Sequence, residues 1–168
     1  HMMRSLARIR GLGYIVWQSR HMAYHMLIGL GWAWFLRERW GEFNTRWILI
    51  SVVGSVLPDI EHIYYFLGYG RQDAYAKSVL GLLHHHQWRE LFLYVSTKHK
   101  NNTSLAYHNI YTLFAFILVG LLASYSEWQV GVILFGAMAS HYIFDMSDDV
   151  FLLGALNPNW KRWGRKRA

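Results

Sequence analysis

Apolar residues along this chain come in long runs, close to the roughly 20 residues a helix needs to cross hydrocarbon at about 1.5 Å per residue. Four runs stand out. The first, His21 to Leu36 (HMAYHMLIGLGWAWFL), is short, with Arg20 and Arg37 placed to snorkel at its ends. The second, Trp47 to Gly68, is broken in its second half by Pro58, Asp59, Glu61 and His62. The third, Asn109 to Tyr125, is uninterrupted, and the fourth, Trp128 to Leu153, again turns polar in its second half. Arg71 to His108 has no spanning run, and an interfacial helix over Val79–Val95 is predicted there because a structureless stretch of that length is unusual.

This pattern predicts an all-α integral membrane bundle of about four transmembrane helices with one additional interfacial helix. It reads as a single helical membrane domain over 1–168, with a basic N-terminal segment (1–20), a cytoplasmic or interfacial connection (69–107) and a basic tail (154–168). Gly29 with Ala33, and Gly136 with Ser140, stand four apart on one helical face and allow close packing. The alternative is a soluble helical bundle with an unusually apolar core.

Composition favours the membrane. Apolar and aromatic residues make up 54% of the 168 and charged residues 16%, against about a quarter charged in a soluble domain. That excludes a disordered chain. The charge is lopsided, 17 Lys and Arg against 10 Asp and Glu, for a formal net charge of +7. Arg4, Arg8, Arg10 and Arg20 precede the first run. Arg71, Lys77, Arg89, Lys98 and Lys100 lie between the second and third, and Lys161, Arg162, Arg165, Lys166 and Arg167 follow the fourth. All of these fall on one side of a four-span arrangement, with Arg37, Arg39 and Arg46 on the other. The excess of Lys and Arg in cytoplasmic loops therefore predicts both termini on the cytoplasmic side of the membrane. Membrane lipids are the expected partners, the tail anchoring to anionic lipid, and no nucleic-acid partner is expected. The absence of cysteine excludes disulfides, thiolate ligands and a thiol nucleophile.

Ionisable groups inside spanning segments are costly and usually functional. His21 and His25 are one turn apart at the start of the first run. Asp59 and His62 follow Pro58, which is suited to open a helix because its missing N–H would have been unsatisfied anyway. Glu61 points about 200° around the helix from Asp59. His108 opens the third run, and His141 and Asp145 share one face of the fourth. With a cytoplasmic amino terminus, all of these groups converge at the cytoplasmic leaflet. Imidazole and carboxylate together suit Zn²⁺, and also Mn²⁺ or Fe²⁺, and His25, Asp59, His62, His108, His141 and Asp145 suffice for one ion or two. His84, His85 and His86 point in different directions as consecutive helical residues, so a surface or interfacial role is expected of them.

The order AYHMLIGLG, SVLPDIEH, SLAYHNIYTLFAF and ASHYIFDMSDD resembles the membrane-bound metal-dependent hydrolase family of bacteria and archaea, itself distantly similar to zinc-dependent phospholipase C. The resemblance spans most of the chain between His25 and Asp145. It implies a ligand role for His25, Asp59, His62, His108, His141 and Asp145, and places Glu61 at the family's second acidic position. Thr103 stands where the family has a histidine, so His99 or one of His84 to His86 substitutes for it or the site is chemically altered. The implied activity is hydrolysis of a phosphoester, a phospholipid being one candidate substrate, by water that the metal activates. Asp59 or Glu61 is the candidate general base, with Asp145 the alternative if Asp59 is committed to metal, and Arg71 and Arg89 are candidates to hold the phosphate. Two other classes stay open: a non-enzymatic membrane protein with a structural metal site or an ion or proton pathway, and a soluble helical nuclease or phospholipase-like enzyme.

Overall fold

The structure, a computed structural model, describes residues 12–41, 44–102 and 104–163. Arg4, Arg8, Arg10, Thr103, Arg165, Lys166 and Arg167 lie outside the described residues, as do the side chains of Arg20, His99 and Lys100. All regular structure among the described residues is helical: α1 (Leu12–Trp40), α2 (Thr45–Val56), a 3-10 turn (Leu57–Asp59), α3 (Ile60–Leu67), α4 (Ala74–His84), α5 (Trp88–Asn102), α6 (Ile110–Tyr125), α7 (Gln129–Leu153) and a 3-10 turn (Pro158–Lys161).

Local chemistry sets these boundaries. α1 stops at Gly41, whose φ of +71° is a left-handed conformation that glycine adopts without a Cβ penalty, while its N–H donates to the Arg37 carbonyl. The Asn44 side chain caps α2 by accepting from the Arg46 N–H at 2.9 Å. Pro58 cannot continue the hydrogen-bond ladder of α2, so the chain tightens into the 3-10 turn and restarts as α3. Asn109 caps α6, its side-chain oxygen accepting from the Thr112 N–H at 2.9 Å. α7 ends at Gly154, again left-handed with φ +73°.

The interfacial helix predicted over Val79–Val95 is instead two helices, α4 and α5. They are separated by a turn in which His86 takes φ +54° and the Gln87 N–H donates back to the Leu82 carbonyl. Histidine is a weak helix former, and three in succession give the chain little reason to stay helical there.

The chain divides into two compact units. In one, formed by the residues up to Met22 and by His62–Ser104, α4 and α5 pair as a hairpin, with Tyr75, Ala76, Val79 and Leu91 buried. Tyr75 stacks on Tyr94 at 5.6 Å, and the Tyr65 hydroxyl donates to Asp73 at 3.1 Å.

The other unit, Ala23–Glu61 and the described residues from Leu105 on, is built around α7, which packs against both α2 and α6. Leu113, Ala139, Tyr142 and Trp160 form its aromatic core, flanked by Phe116, Ile117, Met146 and Leu156. Glycines let the backbones approach. A Cβ on Gly54 would stand 3.1 Å from the Leu134 carbonyl oxygen and 3.2 Å from the Ala137 Cβ on α7. A Cβ on Gly29 would meet Ser55 Oγ at 2.5 Å and the α2 backbone at Ser51 O and Val52 Cα at 2.8 Å. Ser51 Oγ seals this crossing by donating to the Gly29 carbonyl at 2.7 Å.

Only two helical stretches among the described residues are both long and apolar enough to cross a membrane: Thr45–Leu67, which runs through the 3-10 turn, and Gln129–Phe151, each of 23 residues. α6 is strongly apolar but has 16 residues, about 24 Å at 1.5 Å per residue against roughly 30 Å of hydrocarbon. α1 has the length but not the apolarity, because His21, Tyr24, His25 and Trp32 dilute its aliphatic residues.

Candidate metal centre

Four pieces of the second unit bring ionisable side chains to one place. α1 supplies His25, the 3-10 turn after Pro58 supplies Asp59, the loop before α6 supplies His108, and α7 supplies His141 and Asp145 one turn apart. His25 and His141 have no exposed surface, His108 is buried, and the two aspartates are 19% and 16% exposed. The Nε2 atoms of the three imidazoles all turn toward the carboxylates. His25 Nε2 stands 3.9 Å from Asp59 Oδ2 and 3.6 Å from Asp145 Oδ1. His141 Nε2 stands 3.8 Å from Asp59 Oδ1 and 3.1 Å from Asp145 Oδ2, and His108 Nε2 lies 3.6 Å from Asp145 Oδ2.

These spacings are those of donors around a cation. Ligands bound at about 2.0–2.1 Å in a tetrahedral shell stand roughly 3.3 Å from one another, within the observed range. Donor atoms of His25, His141 and Asp145 lie within 4.8 Å of one another, and so do those of Asp59, His108 and His141. The buried His/Asp groups could therefore hold a metal ion.

The outer nitrogens of His141 and His108 are held in place. His141 Nδ1 lies 2.6 Å from the Ser55 carbonyl oxygen, which can only accept. Nδ1 therefore carries the hydrogen, and in the neutral ring Nε2 keeps its lone pair for the interior. His108 Nδ1 likewise donates to Glu61 Oε2 at 2.9 Å. The second oxygen of Glu61 accepts from the backbone N–H groups of Ala106 at 2.6 Å and Tyr107 at 2.8 Å. Glu61 thus clamps the loop that carries His108 and orients the imbedded imidazole, as carboxylates commonly do for metal-ligating histidines. Burial alone would lower the pKa of His108, which lies in this loop outside the helices. Hydrogen bonds and charge from Asp145 and Glu61 outweigh that and raise it from 6.5 to about 9.

His62 follows Glu61 on α3, falls in the other unit, and contributes no atom to these donor sets among the described residues. Arg71 and Arg89 are exposed residues of that other unit, and His84, His85 and His86 are exposed at the α4–α5 turn.

Two supports escaped the sequence pattern. The Ser55 carbonyl that orients His141 is a backbone atom with no sequence signature. Asp149 accepts from the buried indole Nε1 of Trp160 at 2.8 Å. Trp160 in turn packs edge-on to Tyr142 at 5.5 Å and tilts toward His108 at 6.1 Å, and the Tyr142 hydroxyl donates to the Tyr107 carbonyl at 3.1 Å. The one local hint of the Glu61 clamp is its angle, since a side chain about 200° from Asp59 must serve a different neighbour.

Comparisons with protein families, with curated proteins and with solved structures find no match to the chain.

Proposed function

We propose that this protein is a membrane-embedded, metal-dependent hydrolase of phosphoesters, with phospholipid headgroups at the cytoplasmic leaflet as its substrate class and Zn²⁺ as the first candidate metal. The observation that carries the reading is the convergence of three buried imidazole Nε2 atoms on two carboxylates at 3.1–3.9 Å. A single ion pair would use one imidazole and one carboxylate. This cluster commits five side chains, with the outer nitrogens of His141 and His108 held by Ser55 and Glu61.

The membrane part of the reading is supported by an inverted distribution of polarity. His25, His141, Ser51 and Ser55 are fully buried, whereas Leu49 and Val53 on α2, Leu118, Leu121 and Leu122 on α6, and Phe151 on α7 are exposed. A soluble core helix is mostly covered, yet only 28% and 33% of the two apolar stretches are buried within the protein. Large exposed apolar faces call for a partner or a lipid phase. The reading takes four spans, with α1 and α6 completing the bundle, and in that arrangement the distribution of Lys and Arg puts both termini on the cytoplasmic side.

A bound divalent cation would supply Lewis-acid stabilisation of charge on the phosphoryl group. Glu61 is occupied by two backbone donors and His108, so its role is to position that imidazole, and Asp59 and Asp145 are the carboxylates left facing the space among the imidazoles. Both have an oxygen facing the imidazoles and both retain some exposure.

The test is metal content and turnover of phospholipids and aryl phosphodiesters by detergent-solubilised wild type, Asp59→Ala and His141→Ala. Loss of metal and of turnover together, with the helical fold retained, is the expected result. Metal bound without turnover on either substrate class would sink the hydrolase and leave a structural centre or ion pathway.

A further inference from the structure

We infer that the cluster is built for two divalent cations bridged by Asp59 and Asp145, with His25 on one ion and His108 and His141 on the other. This rests on the metal-centre reading above and deepens it.

The carboxylates carry the argument. Each directs its two oxygens at different imidazoles. Asp59 presents Oδ2 to His25 and Oδ1 to His141, and Asp145 presents Oδ1 to His25 and Oδ2 to both His141 and His108. A carboxylate that spans two ions must divide its oxygens in this way, one toward the ligands of each ion.

The imidazoles agree. His141 and His108 each have Nδ1 engaged as a donor, so each can give one bond, from Nε2. The His25 and His141 rings are stacked, with centroids 3.9 Å apart and planes 22° from parallel. The in-plane lone pairs of near-parallel rings lie in two planes that run side by side, and two such nitrogens do not meet on one ion at about 2.0–2.1 Å without a ring turning. Each can instead bind its own ion, and the ring spacing matches the roughly 3.5–4 Å separation of two-metal hydrolytic sites.

Charge points the same way. Asp59, Asp145 and Glu61 leave a centre with one dication and neutral imidazoles net negative, which repels a phosphoester. A second dication makes it net positive, so that an anionic substrate is drawn in.

The experiment uses the full chain in detergent with His84, His85 and His86 changed to Ala, because that exposed run would bind adventitious metal. Protein stripped by a chelator is reloaded with Mn²⁺ alone and dialysed, and metal per chain is measured together with the electron paramagnetic resonance spectrum. The expected result is two ions per chain with a spin-coupled spectrum, falling to one uncoupled ion in His25→Ala. One ion per chain with the spectrum of isolated Mn²⁺ overturns the two-ion site while leaving the metal centre standing. No bound ion overturns both. The wild-type coupling decides the matter even if His25→Ala fails to fold.

Discussion

At the scale of single residues, the centre depends on which nitrogen of each imidazole faces inward. Glu61→Gln tests this with an isosteric change. The glutamine oxygen can still accept from Ala106 and Tyr107, but its NH₂ then faces His108 Nδ1 and forces the hydrogen onto Nε2, which blocks the ligand atom. Metal affinity is expected to fall about 10–100-fold, with thermal stability of the metal-free protein changed far less. Competition against a fluorescent chelator measures the affinity, and an unchanged value would remove Glu61 from any positioning role. Protonation gives a second prediction. His108 titrates at about 9 instead of 6.5 in the metal-free fold. Its folded pKa lies above its unfolded value, so the stabilisation is fully present below pH 6.5 and is lost as pH rises through about 9. Chelator-treated protein should therefore melt at a lower temperature above that pH. Metal affinity should run the opposite way, rising with pH as the competing proton leaves.

Elements matter through how closely they approach. His25 reaches the carboxylates because α1 crosses α2 at Gly29, one turn after it, where even a Cβ would stand 2.5–2.8 Å from Ser55 and the α2 backbone. Gly29→Leu should push the helices apart, destabilise the protein by about 1–3 kcal/mol and weaken metal binding by withdrawing His25. Thermal unfolding in detergent, with and without metal, checks both, and a variant that binds metal like the wild type would show that the crossing does not set the position of His25. The spacing of His141 and Asp145 on α7 was legible as a shared helical face, and Pro58 was legible as the start of a new helix. The break between α4 and α5 was not, because the apolar residues on either side of His84 to His86 continue a helical pattern across a turn set by a left-handed His86.

For the whole molecule, the four-span proposal assigns each connection to a side of the membrane. The chain has no cysteine, so single cysteines introduced at Ser126 and Lys161 report without background. In intact inside-out vesicles a membrane-impermeant maleimide should label Lys161→Cys and spare Ser126→Cys, with the pattern reversed in right-side-out vesicles. Equal labelling from both sides would refute the arrangement. Extraction should require detergent, and the protein should aggregate when detergent is removed, because Leu118, Leu121, Leu122 and Phe151 would otherwise face water.

Hydropathy runs and periodicity by themselves determined the all-helical class, the proline break and the helical face shared by His141 and Asp145, because each is set by interactions within a turn or two of the chain. Residue type also limited the metal chemistry, since imidazole and carboxylate without thiolate leave few choices. Only the tertiary structure decided the rest: that His25, Asp59, His108, His141 and Asp145 meet while His62 falls in the other unit, that Glu61 is a clamp, and that the aspartates divide their oxygens between imidazoles. Those outcomes depend on how far apart helix axes lie and on backbone atoms such as the Ser55 carbonyl, and neither quantity is written in the spacing of side chains along a single helix.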